Sequence, residues 1–296
     1  MVVSQMKSYK MRKIKGRDSW LKPAKTQKGK WIRFYSFLGA AVVLLLLAIV
    51  GPYITPCDPI ETDFMAKLQP PSTNHWFGTD NVGRDVFARV VYGAGNSFSM
   101  AFFMIAIVAA FGTAVGIISG YFAGIVDVII MRIADILLAF PDTIFAIALV
   151  GSMGPGLVNT ILALALIWWT KYARVTRGLV FSLRNREFIT QARFGGAGTG
   201  RIIMKYILPN ILPQILIMAT LDIGGMMISL ASLSFLGLAS QPPTPEWGYM
   251  LYEGKMYMQS APWLIWFPGI ALFTAVIVFN LLGDSLRDIL DPKDKE

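Results

Sequence analysis

Residues 34–50, FYSFLGAAVVLLLLAIV, carry no charged side chain. At about 1.5 Å of rise per residue, seventeen to twenty such residues cross a hydrocarbon core of roughly 30 Å. Apolar runs of comparable length recur at 97–124, 128–151, 157–175, 211–238 and 264–283. This repetition limits the chain more than any other feature. It predicts an all-α, polytopic membrane protein with six transmembrane helices.

Composition supports that reading. The chain has 296 residues, of which 55% are hydrophobic and 15% charged. A soluble domain carries about a quarter charged residues. The net charge of +9 raises nucleic acid as a partner, but the basic residues cluster beside the apolar runs. Charges so placed set membrane orientation, and no nucleic acid is expected. Cys57 is the only cysteine and His75 the only histidine. That excludes an intrachain disulfide and cysteine or histidine metal clusters, and leaves Cys57 as a spare loop thiol.

Residues 1–33 hold eleven Lys or Arg and one acid, Asp18. They read as a cytoplasmic basic tail before an uncleaved anchor at 34–51, suited to anionic membrane lipid. The stretch 52–96 has five acids and three basic residues, which places it outside. A core of five helices follows at 97–283, then a cytoplasmic tail at 284–296. The loop from 171 to 205 has eight Lys or Arg and one acid; that from 239 to 263 has one Lys and two acids. This asymmetry puts both termini in the cytoplasm.

Several residues stand out within this plan. Gly112, Gly116 and Gly120 are four apart and line one helix face, which lets another backbone approach closely. Arg132 and Asp135 can pair locally. Asp142 follows Pro141, where a kink is expected. Asp222 lies deep in the fifth run, where a carboxylate costs ~2.5–3.5 kcal/mol on insertion scales. It needs a cavity, a partner or a basic residue. Asp222, Met226 and Asp142 are candidate pathway residues; a structural hydrogen bond, helix packing and a plain bend are the competing readings. Thioethers suit Cu(I) better than Ni(II), so no metal site is expected at Met226 and Met227. Asp80, Arg84 and Asp85, with Glu246 and Trp247, are candidates for an outer gate or a binding-protein contact. The plainer reading makes Thr79 or Asp80 a helix cap paired with Arg84. Trp247 among Pro242, Pro243 and Pro245 reads as a stiff loop, and Trp263 and Trp266 as interfacial anchors. No catalytic pair and no nucleotide-binding glycine loop is present.

The loop at 184–210, RNREFITQARFGGAGTGRIIMKYILPN, is basic and broken by Gly195, Gly196, Gly198 and Gly200. Residues 187–194 read as a short helix, the glycines as a turn, and 201–208 as a second helix ended by Pro209. Ile202, Ile203, Tyr206 and Ile207 share its apolar face. The turn can enter a groove of a soluble partner, or the helix can simply lie at the membrane surface.

Residues 187–210 resemble the "EAA" loop of permease subunits in binding-protein-dependent ABC importers. Thr190, Gln191 and Ala192 stand at its three leading positions, with Thr190 where the family has an acid; Gly196, Ile202, Leu208, Pro209 and Asn210 match. Trp76-Phe77-Gly78-Thr79-Asp80, Gly83-Arg84-Asp85, Ser234-Phe235-Leu236-Gly237-Leu238, the run from Gln241 to Gly248 and Phe279-Asn280-Leu281-Leu282-Gly283-Asp284 are similar to the dipeptide, oligopeptide and nickel group, second permease subunit. Arg186-Glu187-Phe188 and the run from Ala219 to Gly224 look closest to the nickel branch.

The resemblance implies a type I importer permease fold in the bacterial cytoplasmic membrane. It implies alternating access for nickel, free or chelated, or for dipeptides or oligopeptides. It implies a homologous second permease, two ABC ATPases that use ATP-Mg, and an external substrate-binding protein, with no cofactor in this chain. Coupling to the ATPases falls on Glu187, Thr190, Gln191, Ala192, Gly196, Ala197, Leu208 and Pro209. A receptor that signals without transport and an ion-driven transporter are the rival classes; the latter usually carries an inverted repeat.

Overall fold

The computed structural model describes residues 27–290. Residues 1–26 of the tail expected at 1–33, and residues 291–296, lie outside them. The described residues form helices and no strand: α1 (Gln27–Ile54), α2 (Val86–Phe122), α3 (Gly124–Leu138), α4 (Asp142–Met153), α5 (Leu157–Leu183), α6 (Glu187–Phe194), α7 (Thr199–Ile202), α8 (Leu208–Phe235), α9 (Trp247–Gly254) and α10 (Trp263–Leu290).

Four helical stretches are long and apolar enough to cross a membrane: Lys28–Ile54, Val86–Phe122, Thr199–Phe235 and Trp263–Leu290. The pair α3 and α4 passes the same test together but is bent by 87°. Pro141 at the N-cap of α4 has extended backbone, which turns a foreseen kink into an elbow. α5 is long enough, at 27 residues, but Lys171, Arg174 and Arg177 lower its hydropathy. Each of the three meets an acid on a neighbouring helix: Asp222 on α8 at 2.5 Å, Asp135 on α3 at 2.8 Å, and Asp127 on α3. Asp135 thus pairs across helices rather than with Arg132.

The predicted helix boundaries need correction, α5 included, which runs eight residues past 175. α1 begins seven residues before position 34 and runs through Pro52, whose missing donor falls in its last turn. α2 begins at Val86, so the outer segment expected to reach 96 ends eleven residues earlier, and its cap is Asp85 rather than Thr79 or Asp80. α10 continues to Leu290, which makes helix of residues expected in the tail. Trp247 opens a helix, α9, inside the supposed stiff loop.

The glycine face holds the bundle together. A Cβ on Gly112 would stand 2.5 Å from the Trp169 carbonyl oxygen of α5, and one on Gly116 2.5 Å from that of Ala173. Only hydrogen at these positions lets α2 and α5 touch backbone to backbone. A continuous core of Phe98, Met104, Leu164, Tyr172, Met226 and Phe279 joins α2, α5, α8 and α10. α1 leans on the outside of it through Ala41, Ala48 and Gly51, with Phe37, Leu38, Leu44 and Leu45 partly buried beside them, and its opposite face is exposed. At one end of the bundle α6 packs beneath α2 and α5. At the other, α9 is wedged between α2, α8 and α10.

Candidate functional site

The loop after α5 shows what the sequence could and could not specify. α6 spans Glu187–Phe194 as expected, with Gly195 at its C-cap and Gly196 at φ +79°. That φ is costly for any residue with a Cβ. One side chain of α6 is fully buried: Ile189, in a cluster with Ile117 of α2, Val180 of α5, and Ile202, Ile207 and Ile211. Of the expected apolar face, Ile202 and Ile207 are buried and Ile203 and Tyr206 pack at its edge. Glu187, Thr190, Gln191, Gly196 and Pro209 are exposed, and Ala192, Ala197 and Leu208 partly so. Phe194, 88% exposed, projects from the end of α6.

Pro209 does not end this segment. Residues Ile203–Ile207 form one π turn, and the Leu208 amide donates to the Ile203 carbonyl. The wider turn takes in Pro209, which has no amide to donate, and carries the chain on into α8. α7, the π turn and α8 are therefore one continuous helical rod from Thr199 to Phe235.

The candidate pathway residues are not brought together. Asp222 faces a cavity of about 520 Å³ between α5, α8 and α10. Lys171 holds one of its oxygens, and the other is enclosed beside the buried Tyr172 hydroxyl of α5. Met226 is fully buried in the core. Asp142 is exposed at the α3–α4 elbow, outside that cavity, and accepts from the Thr143 amide at 2.8 Å.

The α9 end is a closed charge network. Asp80 Oδ1 accepts from the backbone of Val82 and Arg84, and its Oδ2 from Arg84 Nε at 2.5 Å. Glu253 on α9 accepts from Arg84 at 2.7 Å and from Arg89 at 2.5 Å. Burial pulls the Arg84 pKa down, but Asp80 and Glu253 outweigh it and hold it above the usual arginine value. Asp85 caps α2 through the Ala88 amide and meets His75 Nδ1 at 2.9 Å. Glu246 caps α9 by accepting from Gly248 and Tyr249, and the Trp247 indole donates to the Val90 carbonyl. Trp263, expected as an interfacial anchor, donates to the Thr79 carbonyl. Asp80, Arg84, Asp85, Glu246 and Trp247 are all buried in this chain, so they form no exposed docking face.

Sequence reasoning missed Glu253, Arg89, Lys171 and Ile189. Their signals were charges without a local partner and one isoleucine on a polar helix. Among the described residues no group of three or more His, Cys, Asp or Glu side chains could hold a metal ion.

With this geometry in view, the comparisons with known proteins are consistent. The family model described as "Binding-protein-dependent transport system inner membrane component" matches residues 112–295. The chain is 46% identical over 251 residues to the dipeptide transport system permease protein DppC of Alkalihalophilus pseudofirmus, covering 85% of this chain and 83% of that one. It is 41% identical over 250 residues to the nickel transport system permease protein NikC of Escherichia coli K12, covering 84% of this chain and 90% of that one. Its fold is that of a chain in the inward facing structure of the MetNI methionine ABC transporter, with a TM-score of 0.55 and 18% identity over 68% of this chain and 96% of that chain.

Proposed function

Because the chain belongs to the family of inner membrane components of binding-protein-dependent transport systems, we propose that it is one of two permease subunits of an ATP-driven importer. It is a multi-pass protein of the bacterial inner membrane. On this reading two ABC ATPases supply the energy from ATP-Mg, a homologous permease completes the pathway, and an external binding protein delivers cargo.

The reading takes α1, α2, the bent pair, α5, α8 and α10 as six spans. α5 joins them because each of its three mid-helix cations has an acidic partner. Both described ends then fall on the α6 side, where basic residues are in excess. That side is cytoplasmic by the usual bias of Lys and Arg.

One observation carries the mechanism. α6 is held by a single buried side chain, Ile189, while most of its length is exposed. It rests on the same cluster as the rod that contains α8. Displacement of α6 by a closing ATPase therefore reaches a membrane-spanning helix without a flexible joint between α7 and α8. Glu187, Thr190, Gln191, Ala192, Gly196, Ala197, Leu208 and Pro209 form the contact region, and Phe194 offers an apolar plug for a groove. ATPase closure tilts the bundles to open the pathway outward, and hydrolysis returns it inward.

As for cargo, nickel has no priority over peptide. A dipeptide permease and a nickel permease resemble the chain to similar degrees. The cargo is a short peptide or a nickel species handed over by the binding protein. The coupling reading is tested with Gly196→Val in the assembled importer. A β-branched residue cannot hold φ +79° without strain. The expected result is retained assembly, with uptake and cargo-stimulated ATP hydrolysis lost together. A variant that assembles and transports at the parental rate removes the loop from the mechanism.

A further inference from the structure

A water-soluble cargo needs polar contacts at membrane depth, and ionisable groups there rarely lack a role. The cavity between α1, α2 and α10, about 310 Å³, and the one between α2 and α8, about 610 Å³, are lined almost wholly by apolar side chains. The cavity between α5, α8 and α10 differs. Lys171, Gln214, Asp222 and Arg287 line it among apolar neighbours. At about 520 Å³ it falls within the ~300–1,000 Å³ of small-molecule sites.

The ion pair inside it is lopsided. Asp222 is buried, while the Lys171 side chain is 52% exposed. Lys171 bonds one carboxylate oxygen at 2.5 Å, and the second oxygen is enclosed beside the buried Tyr172 hydroxyl. Here the counter-ion sits on a long, solvated stem that can swing away without unpacking the core. An incoming ammonium group can take its place on Asp222.

Charge then selects the cargo. The cavity holds two cations, Lys171 and Arg287, against one anion. That balance repels a bare divalent cation and suits a molecule that carries both an ammonium and a carboxylate. The spacing agrees. Gly283 packs on Leu221, next to Asp222, and Arg287 lies four residues further along α10. About one helical turn of backbone, ~5.4 Å, therefore separates Arg287 from the level at which Gly283 meets Leu221. The termini of an extended dipeptide, with its Cα atoms ~3.8 Å apart, span a comparable distance.

We infer that the cavity of Lys171, Asp222 and Arg287 is a cargo contact within the permease for zwitterionic short peptides. The cargo ammonium displaces Lys171 from Asp222, and the cargo carboxylate is met by Arg287. This rests on the importer reading above and adds to it a site and a cargo chemistry.

The test uses the whole importer in proteoliposomes, with labelled alanyl-alanine, N-acetyl-alanyl-alanine and Ni²⁺ alone as probes. Asp222→Asn lowers alanyl-alanine uptake about thirtyfold or more while the subunits still co-purify, as expected when one partner of a buried charge contact is lost. Asp222→Glu restores uptake. Lys171→Gln keeps uptake near the parental level, because it removes only the resident competitor. The preference for the free over the acetylated peptide collapses in Asp222→Asn. If Lys171→Gln loses as much as Asp222→Asn and the double variant recovers, the pair is a structural tie and the inference falls. Equal uptake by the parent and Asp222→Asn also overturns it. Uptake of Ni²⁺ and of no peptide defeats the inference and leaves the importer reading standing. Uptake of neither, with no ATP hydrolysis by the assembled complex, removes the importer reading itself.

Discussion

At the α9 end of the bundle, Arg84 and Arg89 turn inward onto Asp80 and Glu253, and every one of these guanidinium groups is buried. At the α6 end, Arg186, Arg193 and Arg201 face outward and are exposed. Both ends are rich in charge and both contain short helices. What separates them is closure. Around Arg84 and Arg89, α2, α9 and the turn at Asp80 shut on the charges from several sides. Around α6 only one isoleucine closes. A short helix locked by paired charge keeps the bundle in shape, whereas one hung on a single apolar side chain can be moved by another protein.

The largest effect that would break this contrast is at Glu253. Glu253→Ala leaves Arg84 and Arg89 with Asp80 alone, and removing one partner of a buried pair costs about 3–5 kcal/mol. Thermal unfolding of the purified complex in detergent reads this as a marked loss of stability. Arg193→Ala at the other end stays within roughly 0.5 kcal/mol, as for most surface substitutions. Equal losses at both ends would end the distinction.

A smaller and more local effect is expected at Ile189. Truncating a buried isoleucine to alanine costs about 2–5 kcal/mol. Since Ile189 anchors only α6, the loss appears as faster amide exchange in 187–194, with the bundle unchanged. Uptake falls with it. If exchange quickens throughout α2 and α5 as well, Ile189 belongs to the global core and α6 is no separate lever.

The same contrast explains how much was legible beforehand. α6 was read to the residue because its signals are local: an acid in the first turn and glycine at the end. The glycine face of α2 was legible for the same reason. The start of α2 was hidden, because Arg89 looks like a loop residue until Glu253, 164 positions away, covers it. α9 was hidden behind prolines and by a glutamate cap, where Ser, Thr, Asp or Asn is usual. Pro209 misled because a π turn is invisible to a rule that knows only the α ladder. The pairs Lys171–Asp222 and Arg177–Asp127 join residues some fifty positions apart. The sequence held one hint of them: three cations on α5 that had to find acids.

The smallest effect sharpens the comparison by fixing which end is outside. Cys57 is the only cysteine, and it lies between α1 and α2, on the α9 side. Burial, Asp85 and Glu61 all push its pKa above that of a free thiol. Since the thiolate is the nucleophile, a raised pKa means less reactive form at neutral pH, not more. A membrane-impermeant maleimide should label it slowly in cells with a permeabilised outer envelope, and faster as pH rises toward the raised value. Asp85→Asn removes one of the charges opposing ionisation, so it should quicken labelling at neutral pH by a modest factor. Labelling that requires rupture of the inner membrane would place the α9 end inside. The exposed loop would then face away from any cytoplasmic ATPase, and the contrast between the two ends would lose its mechanical meaning while its energetics stood.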